Sequence, residues 1–231
     1  MKVKICGLTN LEDAQTAVAA GADYLGFIFY PPSKRAVEVD VARRIVAALR
    51  AAPHCPLLVG VFVNETAPTM AKILDDCWLD FAQLSGEEVP ALIGEKSSPI
   101  YGRAYKALRP ASLAEAEADA EWYLPPEYEA RFDHDASDKL PPSLLIDTYH
   151  PTLRGGTGET GDWGATAVLA RKVPGLMLAG GLTVNNVAQA VRFVRPFAVD
   201  VASGVESAPG RKDPALVGEF IRLAKMMHAE P

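Results

Sequence analysis

The chain of 231 residues has little of what marks secreted, membrane-spanning or metal-binding proteins. Its three cysteines are widely spaced and form no CxxC pair, which argues against a disulfide framework and favours a reducing environment. Its four histidines show neither HxH nor HxxxH spacing, which argues against a metal centre. No apolar run is long enough to cross a bilayer, and the first residues lack the pattern of a signal peptide. We therefore expect a cytoplasmic protein without a metal ion or a membrane anchor.

An excess of positive charge is also absent, since 23 basic residues face 29 acidic ones and the formal net charge is −6. Nucleic-acid binding usually requires a basic surface, so a nucleic-acid partner is not expected. A small anionic ligand stays open, because a few backbone N–H groups can bind a phosphate whatever the net charge. The apolar and charged fractions, 49% and 23%, are ordinary for a globular protein.

What the chain does contain is a regular alternation of strand and helix patterns. Apolar strand patterns occupy residues 3–6, 22–30, 56–63, 80–84, 100–108, 143–147, 176–179 and 197–202. Eight strand–helix units predict one α/β domain over residues 1–231, a closed (β/α)8 TIM barrel with residues 123–142 as an extended surface segment. The alternative, an open doubly wound sheet, would place a GxGxxG motif after the first strand, where Gly7 stands alone.

Helix-start signals accompany this alternation. Capping-box spacing occurs three times, at Thr9/Glu12, Ser85/Glu88 and Ser112/Glu115. Asp213 followed by Pro214 predicts a cap and a first-turn proline for the last helix.

Two pairs of small residues follow the last two predicted strands. Gly180 and Gly181 follow the seventh strand, and Ser203 and Gly204 follow the eighth. Glycine lets the backbone approach phosphate oxygens, and N–H groups at these strand ends can donate to them. Either pair alone is typical of a tight turn, but both together on adjacent strands predict a barrel of the phosphate-binding type.

A thiol and a carboxyl group end two other strands, Cys6 the first and Asp147 the sixth. In a barrel they would face each other across the mouth formed by the carboxyl ends of the strands. A thiolate can remove a proton and a carboxylic acid can donate one, so the pair could act as base and acid. A lone cysteine is also a common small core residue, and an aspartate can simply cap a turn. Arg35, after the second strand, is either a solvated surface residue or a clamp for a carboxylate.

These residues lie in stretches that resemble the phosphoribosylanthranilate isomerase family of tryptophan biosynthesis over nearly the whole chain. The matching stretches are VKICGLTNLEDA, AGADYLGFIFYPPSKR, GVFVN, FAQLSGEE, LLID, GGTGETGDW, LAGGLTVNNV and VDVASGVESAPGRKD. The resemblance implies an Amadori rearrangement of N-(5-phosphoribosyl)anthranilate, a phosphosugar substrate, without a cofactor.

The resemblance also implies roles for individual residues. Cys6 resembles the general base of the family, Asp147 its general acid, and Arg35 the arginine that holds the anthranilate carboxylate. Asp200 matches an acidic position near the anthranilate end. The implied substrate-binding backbone comprises Gly180, Gly181, Ser203 and Gly204 for the phosphate, and Gly156 in a mobile loop at residues 155–158 that closes over the substrate.

Some features depart from the family or leave alternatives. Glu159 and Gly161 stand where the family often has lysine and phenylalanine, which bears on loop closure. A related isomerase of the histidine pathway is the first alternative, although an aspartate would then be expected in place of Cys6. A non-catalytic phosphate-binding barrel is the second, and it would hold substrate without consuming it. Barrels of the family occur as monomers and as dimers, so we expect a monomer or a homodimer.

Overall fold

The computed structural model describes residues 1–124, 128, 141–147 and 163–226. Most of the predicted surface segment 123–142 and all of the predicted loop 155–158 lie outside the described residues. The barrel strands are β1 (Lys2–Ile5), β2 (Tyr24–Ile28), β3 (Leu57–Phe62), β4 (Phe81–Leu84), β5 (Ala104–Leu108), β6 (Leu144–Asp147), β7 (Leu176–Ala179) and β8 (Ala198–Val201).

Helices alternate with these strands. They are α1 (Leu11–Ala19), α2 (Val39–Arg50), α3 (Ala67–Asp76), α4 (Ala91–Gly94), α5 (Leu113–Tyr123), α6 (Trp163–Lys172), α7 (Val187–Val194) and α8 (Pro214–Met226). A 3-10 helix (Ser203–Val205) follows β8, and the antiparallel pair β9 (Glu206–Ala208) and β10 (Arg211–Lys212) forms a small hairpin before α8.

The eight strands close into a barrel whose order follows the chain. Strand β1 pairs in parallel with both β2 and β8, and Lys4 and Asp200 are register partners across the β1–β8 seam. The predicted (β/α)8 barrel is confirmed, and the open doubly wound sheet is wrong. Parallel closure brings the carboxyl ends of all eight strands to one rim, which is where barrels of this class carry their sites.

Each strand is buried on both faces, which explains its nearly continuous apolar sequence. Side chains that point into the barrel form one cluster, made of Tyr24, Val59, Phe81, Tyr105, Leu145, Met177, Ala179 and Ala198. Those that point outward pack under the helices in two further clusters. Inward and outward positions alternate along β1, so Val3 and Ile5 meet the helices while Lys4 and Cys6 take the barrel side.

The predicted capping box at Thr9 is wrong. The N-cap of α1 is Asn10, whose Oδ1 accepts a hydrogen bond from the Asp13 backbone N–H at 2.9 Å. The Thr9 hydroxyl instead donates to the carbonyl oxygen of Gly210 at 2.8 Å. The Thr9 hydroxyl is therefore bound to the distant β9–β10 hairpin, and Asn10 caps the helix in its place.

The predicted capping box at Ser85 is also wrong. The Ser85 hydroxyl accepts from Gln83 Nε2 at 3.1 Å, and α4 starts after Pro90 without a side-chain cap. The carboxylate of Glu88 binds loop backbone and a buried lysine instead of the start of a helix. The other two end signals are confirmed, because Ser112 Oγ accepts from the Glu115 N–H at 3.2 Å and Asp213 Oδ1 accepts from two N–H groups of α8.

A buried ion pair on the outer face of the barrel connects the loops that follow β3 and β4. Lys106 Nζ lies 2.6 Å from Glu88 Oε2, and these side chains are only 4% and 1% exposed. The same carboxylate accepts from the backbone N–H groups of Asn64 and Gly86, each at 2.9 Å. Burial opposes ionisation of Glu88, but the hydrogen bonds from Lys106 and the backbone outweigh it and hold the pKa of Glu88 below its ordinary value.

We expect Lys106→Met to lower the free energy of unfolding by about 3–5 kcal/mol at neutral pH, because Glu88 would stay buried without its cation. Urea denaturation measures this. The lowered pKa of Glu88 means that its stabilisation is present above the ordinary carboxyl pKa and is lost as the pH falls through the lowered value. The difference between variant and wild type should therefore shrink in that acidic range.

The matched control for this prediction is Lys72→Met. Lys72 Nζ pairs with Asp76 at 2.5 Å on the exposed face of α3, with side chains 72% and 40% exposed. Exposed pairs at this helical spacing contribute about 0.3–0.5 kcal/mol. Equal losses from the two lysine variants would contradict the importance of the buried pair.

No helix among the described residues is long and apolar enough to cross a membrane. Over the same part of the chain, no group of three or more histidine, cysteine, aspartate or glutamate side chains is placed to hold a metal ion.

Candidate active site

Cys6 lies directly after β1, at the rim where the strands end. It is 5% exposed, and its backbone N–H donates to the carbonyl oxygen of Val201 on β8 at 2.9 Å. Its thiol occupies space that only a glycine on β2 leaves, because a Cβ on Gly26 would stand 2.7 Å from Cys6 Sγ and 3.2 Å from Lys4 Cε. The missing side chain of Gly26 thus makes a notch that holds the thiol and the lysine stem side by side.

Lys4 is a fully buried cation beneath the thiol. Its Nζ donates to Asp200 Oδ1 at 3.1 Å across the β1–β8 seam. Burial disfavours the ammonium form, but the carboxylate of Asp200 and the nearby thiol outweigh it, so the pKa of Lys4 is raised and the lysine stays charged.

Two opposing influences act on the thiol of Cys6. Burial, the larger one, raises its pKa, and the carboxylate of Asp200 adds to this. The ammonium groups of Lys4 and Lys212 lower it in part. The net direction is a pKa above the ordinary value for cysteine. The thiolate is therefore formed less readily but is supported by a neighbouring cation when it forms.

Asp147 ends β6 at the same rim. Its Oδ2 accepts from Arg109 Nε at 3.1 Å, and its side chain is 34% exposed. Burial raises the pKa of Asp147, the Arg109 guanidinium opposes this, and Asp200 adds to the rise. A carboxyl group with a raised pKa keeps its proton to higher pH, which suits a general acid.

Asp200 connects the thiol and the acid electrostatically. Strands β6 and β1 are three positions apart around the ring, counted through β7 and β8, and Asp200 lies on β8 between them. Its charge raises the pKa of both Cys6 and Asp147. The structure therefore places three of the predicted site residues at the same rim, with Cys6 and Asp147 three strands apart and not directly opposite each other.

Arg35 lies on the loop between β2 and α2 and reaches the same rim. Its Nε and Nη2 donate to the two carboxylate oxygens of Glu206 at 2.8 and 2.7 Å. Its stem covers Gly7, where the backbone has a φ of +74° and an added Cβ would stand 2.8 Å from Arg35 Cδ. Lys212 Nζ binds the same Glu206 carboxylate at 2.9 Å.

The predicted phosphate loops lie next to each other. Gly180 and Gly181 adopt positive φ angles of 92° and 62° directly after β7. Ser203 starts the short 3-10 helix after β8. Gly204 packs so closely on the backbone of Leu182 that an added Cβ would collide with its carbonyl oxygen. Gly156, the remaining predicted site residue, lies outside the described residues.

Sequence reasoning missed four charged residues of this region. Arg109 comes directly after β5, so the rule that placed Asp147 at a strand end would also have found it. Lys4 breaks the apolar pattern of a strand buried on both faces, which was a usable signal. Glu206 and Lys212 gave no usable signal, because their importance depends on Arg35, which lies 171 residues before Glu206 in the chain.

A closed (β/α)8 barrel with titratable side chains gathered at the carboxyl ends of its strands has the architecture of a barrel enzyme. The chain matches the model of a protein family described as N-(5′phosphoribosyl)anthranilate (PRA) isomerase over residues 3–223. The N-(5′-phosphoribosyl)anthranilate isomerase of Trichlorobacter lovleyi is 42% identical over 225 residues, which cover 97% of this chain and 98% of the relative.

Solved structures agree with this match. The crystal structure of phosphoribosyl anthranilate isomerase from Thermotoga maritima has a TM-score of 0.79 and 36% identity, and covers 98% of this chain and 99% of its own. Another such isomerase was solved in complex with reduced 1-(o-carboxyphenylamino)-1-deoxyribulose 5-phosphate. It has a TM-score of 0.75 and 34% identity, with coverage of 98% and 99%. The chain belongs to the N-(5′-phosphoribosyl)anthranilate isomerase family.

Proposed function

We propose that this chain converts N-(5′-phosphoribosyl)anthranilate to 1-(2-carboxyphenylamino)-1-deoxyribulose 5-phosphate with Cys6 as the general base and Asp147 as the general acid. The isomerase activity in tryptophan biosynthesis follows from membership of the family over residues 3–223. The residue roles are our assignment. The observation that carries them is the placement of a buried thiol beside the ammonium of Lys4 and of a carboxyl group with a raised pKa at the same rim.

The reaction needs two proton transfers at the sugar, and the two side chains divide them. Asp147 donates a proton to the ribose ring oxygen, the bond from C1 to that oxygen breaks, and the nitrogen lone pair forms a Schiff base. Cys6 as thiolate then removes the proton from C2, and the electron pair moves toward the nitrogen to give an enolamine. Tautomerisation of the enolamine gives the ketone. Product and substrate are isomers, so these proton shifts complete the reaction without a redox cofactor.

The two ends of the substrate fit two features of the rim. The ligand named for one solved relative carries a carboxyphenyl group at one end and a 5-phosphate at the other. Arg35 offers a guanidinium for the carboxylate, and the paired loops after β7 and β8 offer backbone N–H groups for the phosphate. We assign the anthranilate end to Arg35 and Asp200 and the phosphate to Gly180, Gly181, Ser203 and Gly204. Gly156 remains a prediction for the closing loop.

We propose that residues 1–231 form a single barrel domain that acts in the cytoplasm as a monomer or a homodimer. The three cysteines, all free thiols in the structure, support a reducing compartment.

The test of the proposed function is consumption of phosphoribosylanthranilate, generated in situ from anthranilate and a phosphoribosyl donor. The expected result is loss of the anthranilate-type fluorescence at a rate proportional to enzyme concentration. The aminoaldose substrate of the histidine pathway, assayed in parallel, is expected to stay unchanged. Binding of phosphoribosylanthranilate without consumption would overturn the isomerase proposal in favour of a phosphate-binding barrel.

A further inference from the structure

A buried carboxylate lies between two cations at the rim. The side chain of Glu206 is 4% exposed, and it binds Arg35 through two hydrogen bonds and Lys212 through one. The side chain of Lys212 is fully buried, and its Nζ also donates to the carbonyl oxygen of Ala202 at 2.9 Å. These side chains donate and accept no proton in the transfers assigned to Cys6 and Asp147, and only the charge of Lys212 acts there, by lowering the pKa of Cys6 in part.

The hydrogen bonds of Arg35 leave one edge of its guanidinium for another ligand. A guanidinium carries five donors in a planar fork, and it can bind a carboxylate along either of two edges. Glu206 takes the edge formed by Nε and Nη2. Within residues 1–124, 141–147 and 163–226, no hydrogen bond uses Nη1, so the end-on edge of Nη1 and Nη2 is the one that can receive a second carboxylate. Glu206 thereby fixes which edge of Arg35 is offered.

The charges of the three groups leave an excess of one positive charge. Arg35 and Lys212 contribute two cations against the single carboxylate of Glu206; burial lowers the pKa of Lys212, and the hydrogen bond and charge of Glu206 oppose this. Burial opposes the charge of Glu206, but its hydrogen bonds with Arg35 and Lys212 hold the pKa of Glu206 below its ordinary value, so it stays ionised near neutral pH. One added carboxylate would balance the cluster. Without Lys212, the Arg35–Glu206 pair would be neutral and would attract an anion much less.

Three loops hold this cluster rigid. The backbone N–H of Lys212 donates to Asp13 Oδ2 at 2.8 Å, which ties β10 to the start of α1. The Thr9 hydroxyl holds the tip of the same hairpin at Gly210. The Arg35 stem lies against Gly7 on the β1–α1 loop. A guanidinium that is fixed before the ligand arrives loses little conformational freedom on binding.

We propose that Glu206 and Lys212 are positioning residues that hold Arg35 with its end-on edge toward the substrate, so that the enzyme selects an amine that carries a carboxylate. The inference rests on the proposed function, in which Arg35 binds the anthranilate carboxylate. It adds that the selectivity is set on the β9–β10 hairpin, by residues that do not touch the substrate.

The experiment compares two substrates in the wild type and in Glu206→Gln. One is N-(5′-phosphoribosyl)anthranilate, and the other is its counterpart made from aniline, which lacks the carboxylate. Loss of a charge-assisted hydrogen-bond arrangement is expected to raise KM for the anthranilate substrate about 10- to 100-fold, with a smaller change in kcat. The kinetic constants for the aniline substrate should hardly change. The ratio of kcat/KM for the two substrates therefore falls.

Two further variants separate positioning from general support. Glu219→Gln is the matched control, because Glu219 binds Arg222 through the same two-bond fork, at 2.7 and 2.6 Å, on the exposed face of α8. Its substrate ratio is expected to equal that of the wild type. Lys212→Met removes the second cation and should lower the ratio in the same direction. In an Arg35→Met background, Glu206→Gln should no longer change the ratio, because the residue through which it acts is gone.

The outcomes are distinguishable. A wild type that consumes the anthranilate substrate, with a ratio that Glu206→Gln leaves unchanged, would overturn the positioning role alone. An equal fall in kcat/KM for both substrates would also overturn it, because that is what a purely structural role predicts. A wild type that consumes neither substrate would overturn the proposed function and this inference together. A lowered ratio in both Glu206→Gln and Lys212→Met, with thermal unfolding midpoints close to that of the wild type, would support the proposal.

Discussion

Replacing Cys6 by serine is expected to lower kcat by about 10²- to 10⁴-fold, the range that a positioned general base contributes. Serine fits the notch left by Gly26, so the substrate should still bind and KM should change little. A hydroxyl, however, gives up its proton far less readily than a thiol, even beside the ammonium of Lys4. Single-turnover fluorescence with excess enzyme isolates the chemical step from substrate binding.

The control for this prediction is Cys55→Ser, which changes a half-buried thiol after α2, outside the residues assigned to the site. Its kcat is expected to stay at the wild-type value. A Cys6→Ser enzyme with wild-type kcat would remove the thiol from the mechanism and leave the base unassigned.

Replacing Asp147 by asparagine is expected to cause a loss of similar size, about 10²- to 10⁴-fold in kcat. The amide keeps the shape of the side chain and can still accept from Arg109, but it has no proton of the right acidity to give to the ring oxygen. The steady-state rate of phosphoribosylanthranilate consumption at saturating substrate measures the loss.

The pH dependence gives this variant a second readout. Productive enzyme needs a protonated Asp147 and an ionised Cys6, and the pKa of each is raised by burial. The carboxyl pKa lies below the thiol pKa, so the productive form is a minor one. Its share rises with pH up to the pKa of Asp147, stays level, and falls above the pKa of Cys6. In Asp147→Asn the fall at high pH should disappear, and whatever activity remains should rise with pH until the pKa of Cys6 is passed, because only the thiolate still titrates.

Asp75→Asn is the matched control, since Asp75 binds Arg103 at 2.7 Å on the protein surface, as Asp147 binds Arg109 at the rim. It removes an aspartate–arginine pair without touching the site, so kcat and the pH profile are expected to match the wild type. An Asp147→Asn enzyme that kept wild-type kcat would assign the protonation of the ring oxygen to another group.

The sequence predicted the barrel because its strands are short, buried on both faces and separated by helices with clear end signals. Ser112 and Asp213 cap their helices as predicted, since each needs only neighbours three residues away. Thr9 and Ser85 do not cap a helix. The Thr9 hydroxyl binds Gly210, 201 residues away, and no local pattern encodes such a partner. The Ser85 hydroxyl accepts from Gln83 two residues earlier, and the next helix starts only at Ala91.

In the candidate site, too, some residues could be predicted from the sequence and their surroundings could not. Cys6 and Asp147 were found because a topological rule places strand ends at one rim, and that rule requires no knowledge of neighbours. The surroundings that give them their chemistry could not be predicted. The cation beside Cys6 and its carboxylate partner, Asp200, are separated by 196 residues. Glu206 contacts Arg35 only when the β9–β10 hairpin packs against the loops before α1 and α2.

The ion pair of Lys4 and Asp200 joins the first and the last strand of the barrel, so its formation requires that both strands have been synthesised and have paired. Strand β1 leaves the ribosome first, while the carboxylate that balances its lysine lies on β8, the last strand of the barrel. Contacts between such distant segments cost the most loop-closure entropy and are slow to form. A nascent chain that has β1 but not β8 cannot bury Lys4 with its charge balanced, nor hold the thiol beside a fixed cation. Closure of the barrel therefore also assembles the proposed acid–base site, so turnover requires that β1 and β8 have paired.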